Sequence, residues 1–343
     1  MLTEMPLARW SEWGHTLNST RFGLGIEVHV AIQRAVDDNT LASDIESSKG
    51  ELAAMRRRRF IRLQAGALFF LGRPTLAAQT TTRSPQMTLL SVPLELVGAW
   101  SEPLTAPISV LSLVREVSLS NVRLRSDDQP SKIRIDNHSS GPPAIWLHDD
   151  HTKVAWIIVD ISSRDWSRLA YQFGHELGHV LCNSWEANSK PQPPSHWIEE
   201  AMVEAFSIRG LGLLAKKWES APPFEGDAGF AAAIRQYRAN VVASYTTIPA
   251  LSNLGLSEWF HNNRSSLEKG GGLSPAEGPL VLAILDELER DTGCVEDLGA
   301  VNRWEKRTAV PIEEYFNLWE KSCAEIHTSG RLPTFLRGLL RPS

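Results

Sequence analysis

The chain has 343 residues, 42% of them hydrophobic and 22% charged, so it can bury a large core and has an ordinary soluble composition. Its formal net charge of -5, without a long basic stripe interleaved with aromatic residues, gives no basis for nucleic-acid binding. No apolar run reaches the roughly 18–20 residues needed to cross a bilayer, so we expect no stable membrane insertion of the mature chain.

A basic stretch that begins at Met55 leads into a short apolar segment and then into small residues near Ala77. This order of features is typical of a secretory signal. The pair Arg57 and Arg58, followed after one further arginine by Phe-Ile-Arg, resembles the bacterial twin-arginine export signal. The resemblance implies a signal peptide over residues 55–78 and a periplasmic or secreted mature protein.

Because a signal peptide works at an N-terminus, we expect translation to start at Met55. Residues 1–54 would then be a non-translated or disordered extension. The alternative is that residues 60–71 form a buried helix after a basic patch. In that case Met1 is the true start and the protein is cytoplasmic.

The rest of the chain divides into a strand-rich and a helical part. Apolar and alternating segments bounded by prolines predict a small β-rich lobe over residues 79–162. The predicted strands are 87–98, 108–124, 132–135, 144–147 and 153–161. Helical periodicity then continues through residues 163–343. Strands followed by helices indicate an α+β fold.

Two groups of polar or reactive residues have simple explanations. The segment His148–His151, between two predicted strands, is explained by a solvated turn, although His and Asp could also form a second metal site. Cys182 is expected to be a buried apolar residue within a helix. Cys294 and Cys323 could pair in an oxidising compartment, but their spacing does not establish a disulfide.

One predicted helix carries a metal-binding pattern. Ser163 can cap a helix that runs to about Cys182 and contains His175-Glu176-Leu177-Gly178-His179. Because residues four apart lie on the same helix face, both imidazoles can bind one ion. Glu176 is offset by about 100° around the helix, beside the ion, where a general base for a metal-activated water belongs.

A second predicted helix supplies carboxylates. It follows a proline-rich loop, begins after Ser195 as a possible cap, and contains Glu200 and Glu204 one turn apart. Since an open catalytic zinc site has three protein ligands, Glu200 could complete the set. Glu204 could then accept a hydrogen bond from the outer nitrogen of a ligand histidine.

Two other residues of this helix are alternatives to Glu200. Glu199 would be the ligand if the helix were rotated, but position 203, four residues later, holds a valine instead of an acidic partner. His196 could also bind a metal ion, but at the start of the helix it is expected to be a first-turn surface or packing residue.

These features resemble the gluzincin metallopeptidases, in which a His-Glu-x-x-His helix precedes a second helix with a glutamate ligand. The segment Trp197–Ala201 is similar to the Trp-Leu-Asn-Glu-Gly segment of the aminopeptidase branch, which aligns Glu200 with that ligand. The resemblance covers about residues 155–210. It implies a peptidase that acts on peptides or proteins with one Zn²⁺ held by His175, His179 and Glu200, and with Glu176 as general base.

The same resemblance implies that the strand 153–161 is an edge strand that lies over the active-site helix and pairs with peptide substrate. The metzincin pattern is excluded, because Cys182 and Trp185 stand where it requires glycine and a third histidine. A later helix is faintly similar to the Tyr-x-Lys-Gly helix of the aminopeptidase branch, but Pro275 and Glu277 replace its tyrosine and lysine.

That replacement leaves the residue that stabilises the oxyanion unidentified, with Tyr245 and His261 as candidates by residue type alone. Two other functions therefore stay open. One is a non-catalytic zinc-site module that binds peptides or envelope components, and the other is hydrolysis of a non-peptide amide. The absence of a recognisable anchor for a free amino terminus favours an endopeptidase. The pattern predicts neither the substrate sequence nor the oligomeric state.

Overall fold

The structure is a computed structural model that describes residues 89–126, 128–139, 141–148, 153–246, 255–270, 272–273 and 277–341. The predicted extension 1–54 and signal peptide 55–78 lie outside these ranges, and so does most of the predicted turn, residues 149–151. Within the described ranges, no helix combines the length and the apolar character needed to span a membrane.

The strands of the described chain form one mixed sheet. They are β1 (Leu94–Gly98), β2 (Lys132–Asn137), β3 (Ala144–Ile145) and β4 (Val154–Val159). Their spatial order is β1-β2-β4-β3, in which β1, β2 and β4 run parallel and β3 pairs antiparallel with β4.

Helices make up most of the regular structure. They are α1 (Thr105–Leu119), α2 (Trp166–Leu181), α3 (His196–Ser220), α4 (Phe230–Thr246), α5 (Leu256–Leu267), α6 (Gly278–Arg290), α7 (Gly293–Leu298), α8 (Ile312–Glu325) and α9 (Arg331–Leu340), with a short 3₁₀ turn at Ala187–Ser189. The fold therefore combines helices with a small sheet, as predicted, and is mainly helical.

The strand predicted at 108–124 is wrong, because this segment lies largely within α1. Its buried Val110, Val114 and Val117 recur at spacings of four and three, which is the period of a helix rather than of a strand. A helix is needed there because β1 and β2 are parallel, and parallel strands require a crossover connection. The first lobe therefore contains a β-α-β unit rather than strands alone.

The prediction that 153–161 is an edge strand is also wrong. Strand β4 lies between β2 and β3, with Ile157 opposite both Ile135 and Ile145. The edge beside β4 is the two-residue strand β3, which contacts α2. A two-residue strand has too little alternation to be distinguished from a loop by its sequence.

One face of the sheet fixes the position of α2. Ile133 and Ile135 of β2 and Ile157 of β4 are fully buried on that face, and β4 contacts α2 directly. The opposite face carries Arg134 and Trp156, which are partly exposed, with the guanidinium carbon 4.6 Å from the indole centroid. The burial of these three isoleucines thus sets α2 against this face of the sheet.

Helices α2 and α3 pack closely at two glycines. A methyl group added to Gly178 would lie 2.8 Å from Cβ of Val203, and one added to Gly174 would lie 3.1 Å from the hydroxyl oxygen of Ser207. The Ser207 hydroxyl also donates to the carbonyl of Tyr171 at 2.7 Å. The two helices therefore approach closely enough for side chains on their facing sides to share one ion.

Neither predicted cap residue caps its helix through its side chain, although Ser195 does stand at the N-cap position of α3. At α2 the cap is Asp165, whose carboxylate accepts from the backbone N–H of Arg168, while the Ser163 hydroxyl donates to Glu102. At α3 the Ser195 hydroxyl donates to the carbonyl of Val310 at 2.7 Å. The start of α3 is therefore held by a tertiary contact that local sequence does not reveal.

All three cysteines are free and buried, so the possible pairing of Cys294 with Cys323 is not formed in this structure. Burial raises the pKa of both thiols to about 12, which leaves them protonated and unreactive at neutral pH. Cys182 is fully buried in the core, as predicted.

Gly178→Ala is expected to lower the free energy of unfolding by about 1–3 kcal/mol, because the added methyl group forces α2 and α3 apart. The matched control is Gly338→Ala in α9, where no atom lies within 4 Å of the added carbon. The control is expected to raise stability by up to about 1 kcal/mol through helix propensity. Urea denaturation of both variants measures the difference, and equal behaviour would disprove the close-packing account.

Candidate metal centre

His175 and His179 on α2 face Glu200 on α3. The Nε2 atom of His175 lies 3.5 Å from Oε2 of Glu200, and Nε2 of His179 lies 3.6 Å from Oε1. The potential ligand atoms of the three residues all lie within 4.8 Å of one another. Tetrahedral ligands about 2.05 Å from an ion are separated by about 3.3 Å. The predicted trio is thus brought together with a spacing that could hold a metal ion.

The other ring nitrogens of both histidines are bound to carboxylates. Nδ1 of His175 lies 3.0 Å from Oε2 of Glu204, and Nδ1 of His179 lies 2.8 Å from Oε1 of Glu199. Because a carboxylate accepts, each Nδ1 must carry the proton. Each Nε2 then keeps its lone pair for a metal ion, and the ring is held in the binding orientation.

Glu204 occupies the position expected of a supporting carboxylate. It is fully buried, and its Oε1 accepts hydrogen bonds from Tyr171 at 2.8 Å and from Tyr245 at 2.9 Å. With Oε2 on His175, both oxygens have partners within the protein. The two phenols offset the cost of burying this charge and fix the carboxylate behind His175.

Glu199, the alternative ligand, plays a different part. Its Oε1 faces Nδ1 of His179, and its Oε2 accepts from the side-chain amide of Asn302 at 2.6 Å. Both oxygens are therefore turned away from the space between the two Nε2 atoms and Glu200. Sequence reasoning missed this role because it sought a supporting carboxylate for only one histidine. The adjacency of two glutamates was the available signal, since neighbours on a helix point about 100° apart.

His196 is neither on the surface nor in a purely apolar contact. The residue is 4% exposed, and its Nε2 lies 2.9 Å from Oε1 of Glu200. The two residues are four apart on α3, so the contact was available from helix spacing alone. Of the two predicted roles, surface and packing, burial excludes the first and agrees with the second. The contact with Glu200 was not predicted.

Glu176 is 4% exposed and lies on α2 beside the ligand histidines. Its negative charge contributes to raising the pKa of both His175 and His179, as expected for a carboxylate close to both rings. The residue proposed as a base is therefore electrostatically coupled to the cluster.

The two candidates for oxyanion stabilisation lie elsewhere. Tyr245 is committed to Glu204 behind His175. His261 is an exposed residue of α5 that lines a surface pocket with Arg264 and Glu268. Residue type alone could not show these positions, because they depend on how α4 and α5 pack.

Opposite charges balance within the cluster. Burial lowers the pKa of His175, but the contacts with Glu200 and Glu204 outweigh it and raise that pKa well above its ordinary value. Burial raises the pKa of Glu200, but the charges of His179 and His196 and the contact with His175 hold it well below its usual range. Without a metal, these contacts favour protonated His175 beside ionised Glu200, so Nε2 of His175 must release its proton before it can bind an ion.

Metal affinity is expected to rise with pH. The pKa of His175 is raised above its ordinary 6.5, so a proton competes for the ligand nitrogen up to and beyond that pH and is released when a cation binds. Affinity should fall as pH is lowered through this region. Calorimetric titration with Zn²⁺ in two buffers of different ionisation enthalpy measures the proton release. Identical heats in both buffers would contradict the expectation.

Glu204→Gln is expected to weaken Zn²⁺ binding by about 10–100-fold, because His175 loses the charged partner that orients its ring. The control is Glu289→Gln, which removes an exposed carboxylate paired with Arg238. Competition with a coloured chelator measures both affinities. Parent-like affinity for Glu204→Gln would show that this carboxylate does not support the site.

No model of a known protein family matches the chain, and a comparison with curated proteins also finds no match. The gluzincin resemblance of residues 155–210 thus stays a prediction from the motif. What the structure shows is a His175, His179 and Glu200 cluster that could hold a metal ion.

Proposed function

We propose that this protein is a zinc-dependent peptidase. One observation carries the proposal: the Nε2 atoms of His175 and His179 lie 3.5 and 3.6 Å from the two oxygens of Glu200, close enough for the three residues to hold one ion. Two imidazoles and one carboxylate form a ligand set used by catalytic zinc sites in peptidases. The residues therefore fit one zinc ion.

Two features favour a catalytic site over a structural one. The metal-binding group in the described chain has three residues, whereas structural zinc sites almost always have four protein ligands. The side chains of His175 and Glu200 are also 16% and 13% exposed, so solvent reaches the cluster. A water or substrate oxygen can thus occupy the remaining position.

When bound, zinc would polarise a carbonyl group and increase the acidity of a coordinated water. Glu176 would accept the proton from that water on its carboxylate and pass it to the leaving amine. Its coupling to both ligand histidines supports this placement. The carboxylates of Glu199 and Glu204 would keep the two imidazoles in place during turnover.

The sheet offers a place for an extended peptide. Strand β3 contacts α2, and among the described residues it pairs with β4 alone, so its other edge could accept a further strand. A peptide added at that edge would gain main-chain hydrogen bonds close to the helix that carries the cluster. We therefore assign substrate pairing to β3 instead of β4. Export through residues 55–78 belongs to the same proposal.

The second candidate is a non-catalytic zinc-site module that binds peptides. It is favoured by one observation, since Tyr245 is committed to Glu204 and His261 lies in a surface pocket with Arg264. Neither candidate for oxyanion stabilisation is thereby placed beside Glu200. Zinc binding together with peptide binding but without cleavage would support this candidate over the peptidase.

Glu176→Gln is expected to reduce peptide cleavage by about 10²–10⁴-fold while zinc stays bound, because the amide cannot accept the proton. Glu225→Gln, an exposed carboxylate before α4, is the control and should leave cleavage unchanged. A peptide-library assay and metal analysis are run on parent and both variants. Undiminished cleavage by Glu176→Gln would refute the mechanism, and absence of stoichiometric zinc in the parent would refute the site.

A further inference from the structure

Asn302 lies behind the candidate metal centre, in the segment that follows α7. The residue is 2% exposed. Its amide nitrogen donates to Oε2 of Glu199 on α3 at 2.6 Å and to the hydroxyl of Ser184, just after α2, at 2.9 Å. An amide nitrogen carries two protons at every pH, so neither contact depends on a titration. Both donors of Asn302 are therefore used, and they connect the end of α2 with the start of α3.

Glu199 transmits this contact to a proposed ligand. Its Oε1 lies 2.8 Å from Nδ1 of His179, while its Oε2 is held by Asn302. A glutamate side chain has several rotatable bonds, and a carboxylate held at only one oxygen can still turn. With both oxygens held, the carboxylate keeps one orientation. The ring of His179 then keeps the orientation in which its Nε2 faces Glu200.

The backbone of Asn302 takes a conformation that few residues adopt. Its φ is 58°, in the left-handed region, where asparagine and glycine are tolerated better than most residues. The residues just before it are held by Asn183, whose amide nitrogen donates to the carbonyls of Gly299 at 3.1 Å and Val301 at 2.7 Å. The turn thus directs a buried amide at the carboxylate that supports His179.

We propose that Asn302 is a positioning residue that acts through Glu199 to hold His179 in its metal-binding orientation, an inference that rests on the proposed zinc site. The arrangement parallels the one at the other histidine, where two tyrosine hydroxyls hold the far oxygen of the supporting carboxylate. The metal centre therefore extends beyond α2 and α3 to a residue 103 positions after Glu199 in the chain.

Asn302→Gly tests the proposal. It removes the amide but keeps a residue that adopts a positive φ without strain, so the backbone turn is preserved. Zn²⁺ affinity is expected to fall by about 3–10-fold, less than when a carboxylate that touches a ligand is changed, because Asn302 acts through Glu199. The control is Asn121→Gly, the same change at an exposed residue with a φ of 61°. The control should bind Zn²⁺ as the parent does.

A spectroscopic readout separates positioning from a general loss of structure. In the Zn²⁺-loaded protein, isotope-labelled at its histidine nitrogens, the Nδ1 protons of His175 and His179 give nuclear magnetic resonance signals that their hydrogen bonds to carboxylates protect from exchange. Glu204→Gln identifies the signal of His175, because it changes that ring's partner. In Asn302→Gly the signal of His179 should shift or disappear while that of His175 stays unchanged. A general loss of structure would not act on one ring alone.

An unchanged His179 signal in Asn302→Gly would overturn this inference, whatever the affinity, and leave the zinc site intact. Equal changes at both histidine rings would also overturn it, because Asn302 would then be a purely structural residue. If this variant does not fold, Asn302→Asp, which keeps the side-chain shape but turns an acceptor towards Glu199, is measured in the same way. Failure of the parent itself to bind Zn²⁺ would instead overturn the proposed function and this inference together.

Discussion

The close approach of α2 and α3 is the constraint on which the rest of the site depends. Because Gly178 has no side chain, Val203 can pack against the backbone of α2, where a methyl group on residue 178 would lie only 2.8 Å from Cβ of Val203. Only this approach brings Nε2 of His175 and His179 within reach of Glu200. The sheet supports it from the other side, because β4 contacts α2 through its buried face. The packing distance between α2 and α3 therefore also sets the distances between the ligand atoms.

The same approach places three carboxylates of one helix in the protein interior, which costs free energy unless every charge has a partner. Glu204 is matched by His175 and two tyrosines, and Glu199 by His179 and Asn302. These partners come from α2, α4 and the segment after α7. Elements distant in sequence are therefore required to hold a cluster formed by two neighbouring helices.

The fold was predictable where periodicity was strong and long. The helix that carries His175 follows from apolar spacing, with bounds close to the predicted 165–182. The helix that carries Glu200 begins where predicted but continues to Ser220, beyond the predicted end near Gly210. The segment 108–124 was assigned to a strand because its apolar run was judged by composition, and the crossover required between β1 and β2 made it a helix. The edge position of β3 depends on strand order, which no local pattern contains.

The sequence by itself determined the candidate ligands. A spacing of four residues places His175 and His179 on one face of a helix, and Glu200 lies on the next predicted helix. It could not determine which neighbouring polar residues face the cluster. Tertiary structure decided that Glu199 supports His179, that Tyr245 supports Glu204 and that His196 contacts Glu200. The physical reason is that packing against other elements sets the rotation of each helix about its axis and its distance from its neighbours. Turning α3 by the angle between successive residues would bring Glu199 into the place of Glu200.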